Sequence, residues 1–400
     1  METCAIVHRR LPLAIPVCAL LVGCADTAPT PRPIERDSAG IRIVDNVAGA
    51  TLPQWTTAPE PLVEIGALSG APVFEFDAIS GLALLEGGTV VVADRGSRQI
   101  RAYGRDGAHR WTAGGPGEGP GEFANQASLF AFRGDSLLAY DFGLRRITVF
   151  AADGRFGRII PIGHIQPNGV LAGAFDDGSL LVSTRHLGGL APGLNRDSVA
   201  WFVCDSDSAR VVREIGASRQ RDVVLVRVEA MPVIDERPLA ATGAGIAVGS
   251  TFARTTGAAA EVRLNSVSGE GRTIARWDMT PQPLDAGAAE HWRAEDMAVR
   301  RSEVDRFLRE RWLEVVTFPD QLPVTESLMA GDDRVFAQEF QLPWARGPRG
   351  WLVFDDGGRL VARLETPADL TVHAIRDDVV AGVARDAFDV ERVRLYPVTR

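Results

Sequence analysis

The sequence predicts an all-β fold built from repeated four-stranded antiparallel units, and three observations lead to this prediction. Residues 93–107 recur in register at residues 140–154, so that Asp94 and Asp141 stand 47 residues apart. Each copy contains short apolar strand segments and ends in an Asp-Gly pair, which suits the positive φ angles of a tight hairpin turn. The 41 glycines and 24 prolines fit a chain with many short strands separated by turns.

The repeat has the same internal order wherever it occurs. A glycine-marked turn leads into an alternating strand such as Thr89–Ala93, a second strand follows, and the Asp-Gly hairpin leads to the outermost strand. Residues 353–359 repeat the second half of the unit, matching residues 149–155. A period of about 45 residues with four short strands is typical of the blades of a β-propeller.

This period predicts a six-bladed β-propeller of four-stranded antiparallel blades over residues 41–400. The last blade lacks a clear fourth strand, so closure needs one from the N-terminal side, either Ile41 to Val44 or Leu62 to Ile65. Such closure removes exposed sheet edges. The six blades are placed at residues 76–115, 124–163, 166–217, 224–279, 323–365 and 369–400.

Residues 285–316 break the repeat and predict a helical insertion between the fourth and fifth blades. Residues 302–305 resemble a capping box. The insertion is either a packing brace, which we favour, or a lid that binds a partner. Four apolar residues fall on one face of the predicted helix: Val304, Phe307, Leu308 and Trp312.

The segment VVADRGSRQIRAYGRDG, followed by GGPGEGPGEF, resembles an NHL-type repeat of the six-bladed propeller group. The match is good over residues 76–163, fair over residues 323–400 and poor in the two middle blades. In that group the strand-end Asp and the Arg that follows it mainly connect neighbouring strands. The resemblance therefore implies a structural role for four residues: Asp94, Arg98, Asp141 and Arg145.

The N-terminus has the features of an export signal. His8, Arg9 and Arg10 form a positive segment, and Leu11 to Gly23 form an apolar segment. That segment is shorter than the roughly 20 residues that span a bilayer, so a removed signal peptide is expected rather than a transmembrane helix.

Residues 21–24, Leu-Val-Gly-Cys, resemble a bacterial lipobox. The resemblance implies that Cys24 becomes the lipidated first residue of the mature protein, and several acyl chains anchor more firmly than one, at about 0.8 kcal/mol per buried methylene. The alternative is an ordinary signal peptide with a chance cysteine. Residues 25–40, rich in Pro, Thr and Ala, then form a flexible tether, and Ala25 after the cysteine suggests the outer membrane of a Gram-negative host.

Composition excludes several kinds of chemistry. The chain has a net charge of −9 and contains no lysine, so it has no P-loop lysine and no Schiff-base lysine. An acidic chain without a basic run also argues against nucleic-acid binding, because phosphate neutralisation needs clustered cations. Of four cysteines, Cys4 and Cys18 leave with the signal and Cys24 is acylated, which leaves Cys204, in an apolar run, as an expected core residue.

Recognised catalytic motifs are missing from the sequence. There is no Gly-x-Ser-x-Gly, no His-Glu-x-x-His and no Cys-x-x-Cys. Residues 114–121, Gly-Gly-Pro-Gly-Glu-Gly-Pro-Gly, are interpreted as a turn between blades rather than a phosphate loop, because no helix is expected after them and their two prolines lack amide donors.

Six residues fall near the starts of the innermost strands, where propellers line a central channel. If they converge, a mixed oxygen and nitrogen ligand set could hold a divalent cation; no cofactor is otherwise evident. Lactonase-type and lyase-type propellers hold metals at this place. The candidate ligands at the channel mouth are Asp77, Asn125, His164, Asn168, Glu326 and His373.

Together these patterns predict an exported, lipid-anchored protein of the bacterial cell envelope, facing the periplasm or the surface. We expect a non-catalytic scaffold with a monomeric body that binds a small ligand or an envelope protein. The alternatives are a metal-dependent hydrolase, lactonase or lyase with its site at the channel mouth, and an interaction module that uses the 285–316 helix. Fold alone does not decide between them.

Overall fold

The computed structural model describes residues 32–47, 52–125, 127–165, 168–185, 189–229, 231–300 and 302–400. The expected signal peptide, Cys24 and residues 25–31 of the expected tether lie outside the described residues. Strands dominate the structure, together with two α-helices, so the predicted all-β fold with a helical insertion is confirmed.

Four short strands precede the first repeat, and each later joins a sheet formed mainly by distant residues. They are β1 (Ile34–Ser38), β2 (Ile41–Asn46), β3 (Gln54–Thr57) and β4 (Val63–Ile65). Residues 34–38, which the sequence analysis assigns to the tether, form a hairpin with β2 that pairs Ile34 with Asp45 and Ser38 with Ile41. The expected tether is therefore wrong over its last residues, because Ala39 and Gly40, at φ 53° and 77°, make a tight turn there.

The first two repeats each form a four-stranded antiparallel sheet, as the sequence predicts. The first sheet contains β5 (Ile79–Leu84), β6 (Val90–Asp94), β7 (Gln99–Tyr103) and β8 (His109–Gly114). The second sheet contains β9 (Ala127–Phe132), β10 (Ser136–Asp141), β11 (Arg146–Phe150) and β12 (Phe156–Pro161).

The third sheet is longer than predicted. It contains β13 (Gly169–Ala174), β14 (Leu180–Arg185), β15 (Gly193–Cys204), β16 (Val211–Val228) and β17 (Met231–Glu236). The predicted start of the fourth blade at residue 224 is therefore wrong. An apolar run continues the strand through residues 223–228, and Glu229 at φ 56° begins a hairpin that returns β17 along β16.

The fourth sheet combines β18 (Ala244–Val248), β19 (Thr251–Thr255), β20 (Glu261–Ser266) and β21 (Arg272–Trp277) with two N-terminal strands. Its order is β1-β2-β21-β20-β19-β18, and β2 runs parallel to β21. The first of the two predicted closing segments, residues 41–44, thus extends the fourth sheet and not the last one.

The remaining strands form one nine-stranded sheet: β22 (Thr325–Gly331), β23 (Arg334–Glu339), β24 (Arg349–Phe354), β25 (Leu360–Thr366), β26 (Thr371–Arg376), β27 (Val379–Arg385) and β28 (Glu391–Thr399), with β3 and β4. β4 pairs antiparallel with β28, which confirms the second predicted closing segment. β3 lies between β25 and β28 and joins the two halves of this sheet.

The inner strands of the sheets surround a central axis. Contacts run in a closed ring from β5 to β9, β13, β18, β22 and β26 and back to β5. Apolar side chains fill the spaces between neighbouring sheets, as between the second and third sheets, where Leu138 and Ile147 pack with Leu180. The buried Cys204 belongs to the same cluster, and burial raises the pKa of its thiol to about 12, which fits the expected core residue.

Two helices interrupt the repeat, α1 (Ala286–Ala298) and α2 (Glu303–Val315). The Ser302 side chain accepts a hydrogen bond from the Asp305 backbone N–H at 3.0 Å, so the predicted cap is present. Trp312 is fully buried and donates to the Val224 carbonyl at 3.2 Å. Among the described residues, no helix combines the length and the apolar character that a bilayer span requires.

The predicted apolar face of α2 is half wrong. Leu308 and Trp312 pack on β16, but Val304 and Phe307 are 65% and 44% exposed. The helix is rotated so that Arg309, only 6% exposed, takes a place in the interface. The carboxylates of Asp235 and Asp296 pair with Arg309 and make its burial possible. A hydrophobic pattern cannot reveal this arrangement.

Candidate functional site

A cavity of about 890 Å³ lies inside the ring of inner strands. Because each inner strand is the edge of its sheet, main-chain groups without a ladder partner line this space alongside small side chains such as Ala131, Ala174 and Ala330. The walls are thus neither purely apolar nor strongly polar, and the space is large enough for a small organic ligand.

Charged residues gather at one end of the cavity, where the turns after the inner strands meet. We call this end the acidic rim, and it contains six carboxylate residues and two arginines. The inner strands all run toward it, so the first turn of each sheet delivers its side chains to the same place. The acidic rim consists of Glu86, Arg133, Asp135, Asp176, Asp332, Asp333, Arg376 and Asp377.

Several carboxylates of the acidic rim are used in local structure. Asp135 accepts a hydrogen bond from the Glu86 N–H at 2.7 Å, and Asp332 accepts from the Asp377 N–H at 3.0 Å. Arg376 lies 3.3 Å from the Glu86 carboxylate. These contacts fix the turns in place, and two of the remaining carboxylates of the rim form no ion pair within the described part of the chain.

Asp176 and Asp333 are the least compensated of these groups. One oxygen of Asp333 and one of Asp176 lie 3.4 and 3.6 Å from the position that a Cβ at Gly249 would occupy, so the two oxygens are at most about 7 Å apart, the sum of those distances. Burial, followed by the negative charges of Asp333 and Asp177, raises the pKa of Asp176 above its usual value. The rim therefore favours a positively charged group.

His373 lies at the other end of the cavity, on β26. It interrupts the pairing of β26 with β27, where the register shifts between Val372 and Ala374. Burial lowers the pKa of His373, so the imidazole is neutral at pH 7. The side chain also borders a smaller space that contains Asp369 and Glu391.

The candidate ligands at the channel mouth occupy different places in the structure. His373 lines the central cavity, Asp77 lines a cleft with Arg101 and Glu391, and Glu326 lines a third space with Trp292 and Arg309. Burial raises the pKa of Glu326, and the charge of Arg349 opposes this change.

The other three candidates are positioned by local structure. A ring nitrogen of His164 lies 3.2 Å from the Ala209 carbonyl oxygen. Asn125 donates its backbone N–H to Asp141 at 3.3 Å, and Asn168 has a φ of 51° in the turn before β13. Across the described ranges, no three His, Cys, Asp or Glu side chains come close enough together to hold a metal ion.

The two repeated aspartates hold the chain around the inner strands. Asp94 accepts hydrogen bonds from the Asp77 N–H at 2.7 Å and from the Ser97 hydroxyl at 2.5 Å. Asp141 accepts from the N–H groups of Ala124 at 2.8 Å and Leu144 at 3.0 Å. Each carboxylate therefore ties the segment before the inner strand to the turn after the second strand.

The two repeated arginines share a backbone conformation. Arg98 and Arg145 have φ values of 55° and 51° in the turns that follow Asp94 and Asp141. Arg145 also donates to the Ile165 carbonyl at 3.4 Å. Their recurrence thus coincides with a left-handed turn position in both sheets.

The acidic rim cannot be recognised from sequence patterns alone. Its signal is the pair of adjacent aspartates in the turns at residues 176–177, 332–333 and 377–378. These pairs resemble ordinary polar turns, and the last two contain non-glycine residues with positive φ. The ring of strands brings them together across about 200 residues of sequence, which a local pattern cannot show.

Comparisons with known proteins give low similarity. No protein-family model matches the chain, and no curated protein matches it by sequence. An exported protein from Bacteroides fragilis is 11% identical, with 89% of this chain and 99% of that chain covered and a TM-score of 0.48.

Two other solved structures are similar at the same level. Virginiamycin B lyase from Staphylococcus aureus is 11% identical, with 84% and 98% of the two chains covered and a TM-score of 0.42. A calcium-binding protein, regucalcin, from Agrobacterium tumefaciens is 9% identical, with 86% and 96% covered and a TM-score of 0.38. With TM-scores below 0.5, these likenesses do not bear on the function of this chain.

Proposed function

We propose that this chain is a non-catalytic binding protein of the bacterial cell envelope, a six-bladed β-propeller of NHL-type repeats that takes a small ligand into its central cavity. The cavity of about 890 Å³ inside the ring of inner strands is the observation that carries the proposal. Its size suits a small organic molecule, and its mixed lining offers both apolar contacts and main-chain hydrogen-bonding groups.

The charge of the cavity selects among ligands. Six carboxylate residues and two arginines at the acidic rim make this end negative, and within the described ranges neither Asp176 nor Asp333 forms an ion pair with an arginine. A ligand with a positive group at one end is therefore preferred over an anion of the same size. The proposal takes the body as a monomer, with the lipid as its attachment to the membrane and no part in nucleic-acid binding.

The proposed location rests on the N-terminal segment. A positive n-region, a short apolar segment and the Leu-Val-Gly-Cys sequence ending at Cys24 support export followed by lipidation. Ile34 begins the first strand, so about nine residues separate Cys24 from the folded body. At roughly 3.3–3.6 Å for each extended residue, this linker keeps the body within about 30 Å of the membrane.

A second candidate function is a metal-dependent hydrolase or lyase. It is favoured by two of the candidate ligands, Glu326 and His373, which line different spaces but lie near the starts of the neighbouring inner strands β22 and β26. Desolvation raises the pKa of Glu326 and lowers that of His373. Such shifts are common in catalytic groups. A divalent cation would have to bind at the mouth opposite the acidic rim, near the starts of the inner strands.

The binding proposal is tested by placing a bulky side chain in the cavity. The full-length chain carrying Cys24→Ser is titrated with acridine orange, a tricyclic cation, and with fluorescein, an anion of similar size, by fluorescence anisotropy. Ala131 is exposed within the cavity wall, so Ala131→Trp should weaken acridine orange binding at least tenfold. Ala387→Trp, in an exposed turn outside the cavity, is the matched control.

Two results would contradict the proposal. Equal affinity in the Ala131→Trp and control variants would place the bound dye outside the cavity. Stoichiometric metal in the purified full-length chain, lost in both Glu326→Gln and His373→Gln, would favour the enzyme instead.

A further inference from the structure

A second space lies away from the central cavity, in a groove of about 260 Å³ between the third and fourth sheets. Arg254, Arg263 and Arg272 line it together with Asn265, and Ile215 of β16 forms part of the opposite wall. Among the residues that the structure describes, no carboxylate lines this space. We call it the arginine groove. It is unusual in a protein whose net charge is −9.

Strand register places the three arginines on one face of the fourth sheet. Arg254 of β19 is directly opposite Arg263 of β20, and Asn265 of β20 is directly opposite Arg272 of β21. Val262 and Leu264 point to the other face, where they pack against the fifth repeat. Alternation along β20 therefore sends Arg263 and Asn265 into the groove.

This arrangement leaves positive charge uncompensated. Like charges directly opposite each other in a sheet are destabilising. Glu261 is the nearby carboxylate, and it is shared, since Arg263 lies 2.8 Å and Arg276 lies 3.4 Å from its oxygens. Arg254 and Arg272 have no carboxylate partner among the described residues.

Arg254 is also held in place without being neutralised. Its Nη1 donates to the Ala217 carbonyl at 3.0 Å, and its guanidinium carbon lies 5.9 Å from the centre of the Phe252 ring. Its Nε is buried and has no hydrogen-bond partner among the described residues. Burial, followed by the charges of Arg263 and Arg272, lowers the pKa of Arg254, as expected where a counter-anion is missing.

We propose that the arginine groove binds the phosphate group of a ligand. Guanidinium groups donate paired hydrogen bonds to phosphate oxygens, and the Asn265 amide adds a neutral donor. The groove is larger than a single phosphate, so it accommodates a phosphate monoester with a small organic part. This site is separate from the central cavity, because its arginines belong to β19, β20 and β21 and not to the inner strand β18, and the two spaces share no lining residue.

Two sources could present this group, a free phosphate compound or the headgroup of a phospholipid. β1 and β2 lie at the outer edge of the same sheet, and β1 begins about nine residues after Cys24, so a lipid-anchored chain holds this sheet near a membrane. Both sources use the same three arginines, and the experiment separates them.

The test uses the full-length chain carrying Cys24→Ser, titrated with inorganic phosphate by calorimetry at constant ionic strength. Arg272 is exposed, so Arg272→Gln should leave the fold intact and weaken phosphate binding about tenfold, the effect of losing one charge-assisted contact. Arg227→Gln, an exposed strand residue of the third sheet outside the groove, should bind like the parent.

Thermal unfolding gives a second test, in which the melting temperature is measured with and without phosphate. Without phosphate, Arg272→Gln removes repulsion and should leave the melting temperature unchanged or slightly raised. Phosphate should raise the melting temperature of the parent and of Arg227→Gln by the same amount and that of Arg272→Gln by less.

Vesicle cosedimentation identifies the source. If the ligand is a headgroup, vesicles containing phosphatidic acid should bind the parent, vesicles of phosphatidylcholine alone should not, and Arg272→Gln should abolish the difference. If inorganic phosphate binds and these vesicles do not, the ligand is a free phosphate compound. Absence of binding to both probes, or equal losses in Arg272→Gln and Arg227→Gln, would overturn the proposal.

Discussion

Arg309 and Asp296 form a bidentate ion pair that joins α2 to α1, with Nε to Oδ2 at 2.6 Å and Nη2 to Oδ1 at 2.8 Å. Arg309 also donates to Asp235 of β17 at 2.7 Å, and its guanidinium carbon lies 4.0 Å from the centre of the Trp312 ring. The second contact, between Arg309 and Asp235, therefore fastens the helical insertion to the long hairpin of the third sheet. This attachment gives the first prediction.

Replacing Asp296 should lower the free energy of unfolding more than replacing Arg309. Asp296→Ala leaves Arg309 buried with one carboxylate, and we expect a loss of about 3 kcal/mol in the free energy of unfolding, measured in urea. Arg309→Met keeps the packing against Trp312 and leaves Asp296 paired with Arg300 at 2.8 Å, so it should cost less, about 1 kcal/mol. The exposed Arg311→Met is the control; an Asp296→Ala loss no larger than that of the control would show that the pair contributes nothing.

Asp141 should be needed for folding and not for ligand binding. Asp141 is 1% exposed and its carboxylate accepts from Ala124 and Leu144, so Asp141→Ala leaves these half-buried N–H groups without their partner. We expect a loss of about 2–4 kcal/mol in urea unfolding. Asp153→Ala, in an exposed turn of the same sheet, should change stability by less than about 0.5 kcal/mol. A stable Asp141→Ala protein with weakened ligand affinity would instead assign Asp141 to the binding site.

Asp176 should destabilise the fold at neutral pH. The charged groups around it are Asp177, Asp333 and Arg133, whose guanidinium binds the Asp177 carbonyl at 3.0 Å. A carboxyl whose pKa is raised in the folded state contributes stability at low pH and loses it as pH rises through that folded pKa. Asp176→Asn should therefore be more stable than the parent at pH 7, by about 0.5 kcal/mol for this exposed group.

The same comparison at lower pH checks the sign. The difference between Asp176→Asn and the parent should shrink as pH falls toward 4 and vanish below it, because the parent carboxyl then carries its proton. Thermal unfolding at pH 7, 5 and 3.5 measures this. A difference that grows on acidification would show that Asp176 is stabilised as an anion, contrary to the geometry at Gly249.

Cys24→Ser should release the protein from membranes. Thioether lipidation needs the thiol of Cys24, and the serine hydroxyl does not replace it, so the variant should move from the membrane fraction to the soluble fraction after cell lysis. Cys204→Ser changes a cysteine in the body and should leave the distribution as it is. Unchanged membrane retention of Cys24→Ser would contradict the lipobox interpretation.

The local repeat made most of the strands predictable. Asp94 and Asp141, with their Asp-Gly turns, mark the first two sheets to within a few residues, because turn chemistry and strand alternation act over short distances. The capping function of Ser302 is local in the same way. Where the repeat fades, as in residues 211–236, the sequence does not predict the start of the fourth blade. A strand continues as long as a neighbouring strand provides backbone hydrogen-bond partners, as β17 does for β16.

Long-range placement needed the tertiary structure. Two segments of similar length and apolarity competed for closure, and only the ring determines that Val63–Ile65 pairs with β28 while residues 41–46 pair with β21. The arginine groove likewise depends on which strand opposes Arg254.

By itself, the sequence determined the fold class, the turns, the helical insertion and the absence of lysine chemistry, because these follow from composition and from interactions between near neighbours. Only the tertiary structure decided which side chains share a space. Asp176 meets Asp333, and Arg309 meets Asp296 and Asp235, across separations that no periodic pattern encodes. The acidic rim and the arginine groove both form in this way, because ring closure and strand pairing bring distant turns and strands together.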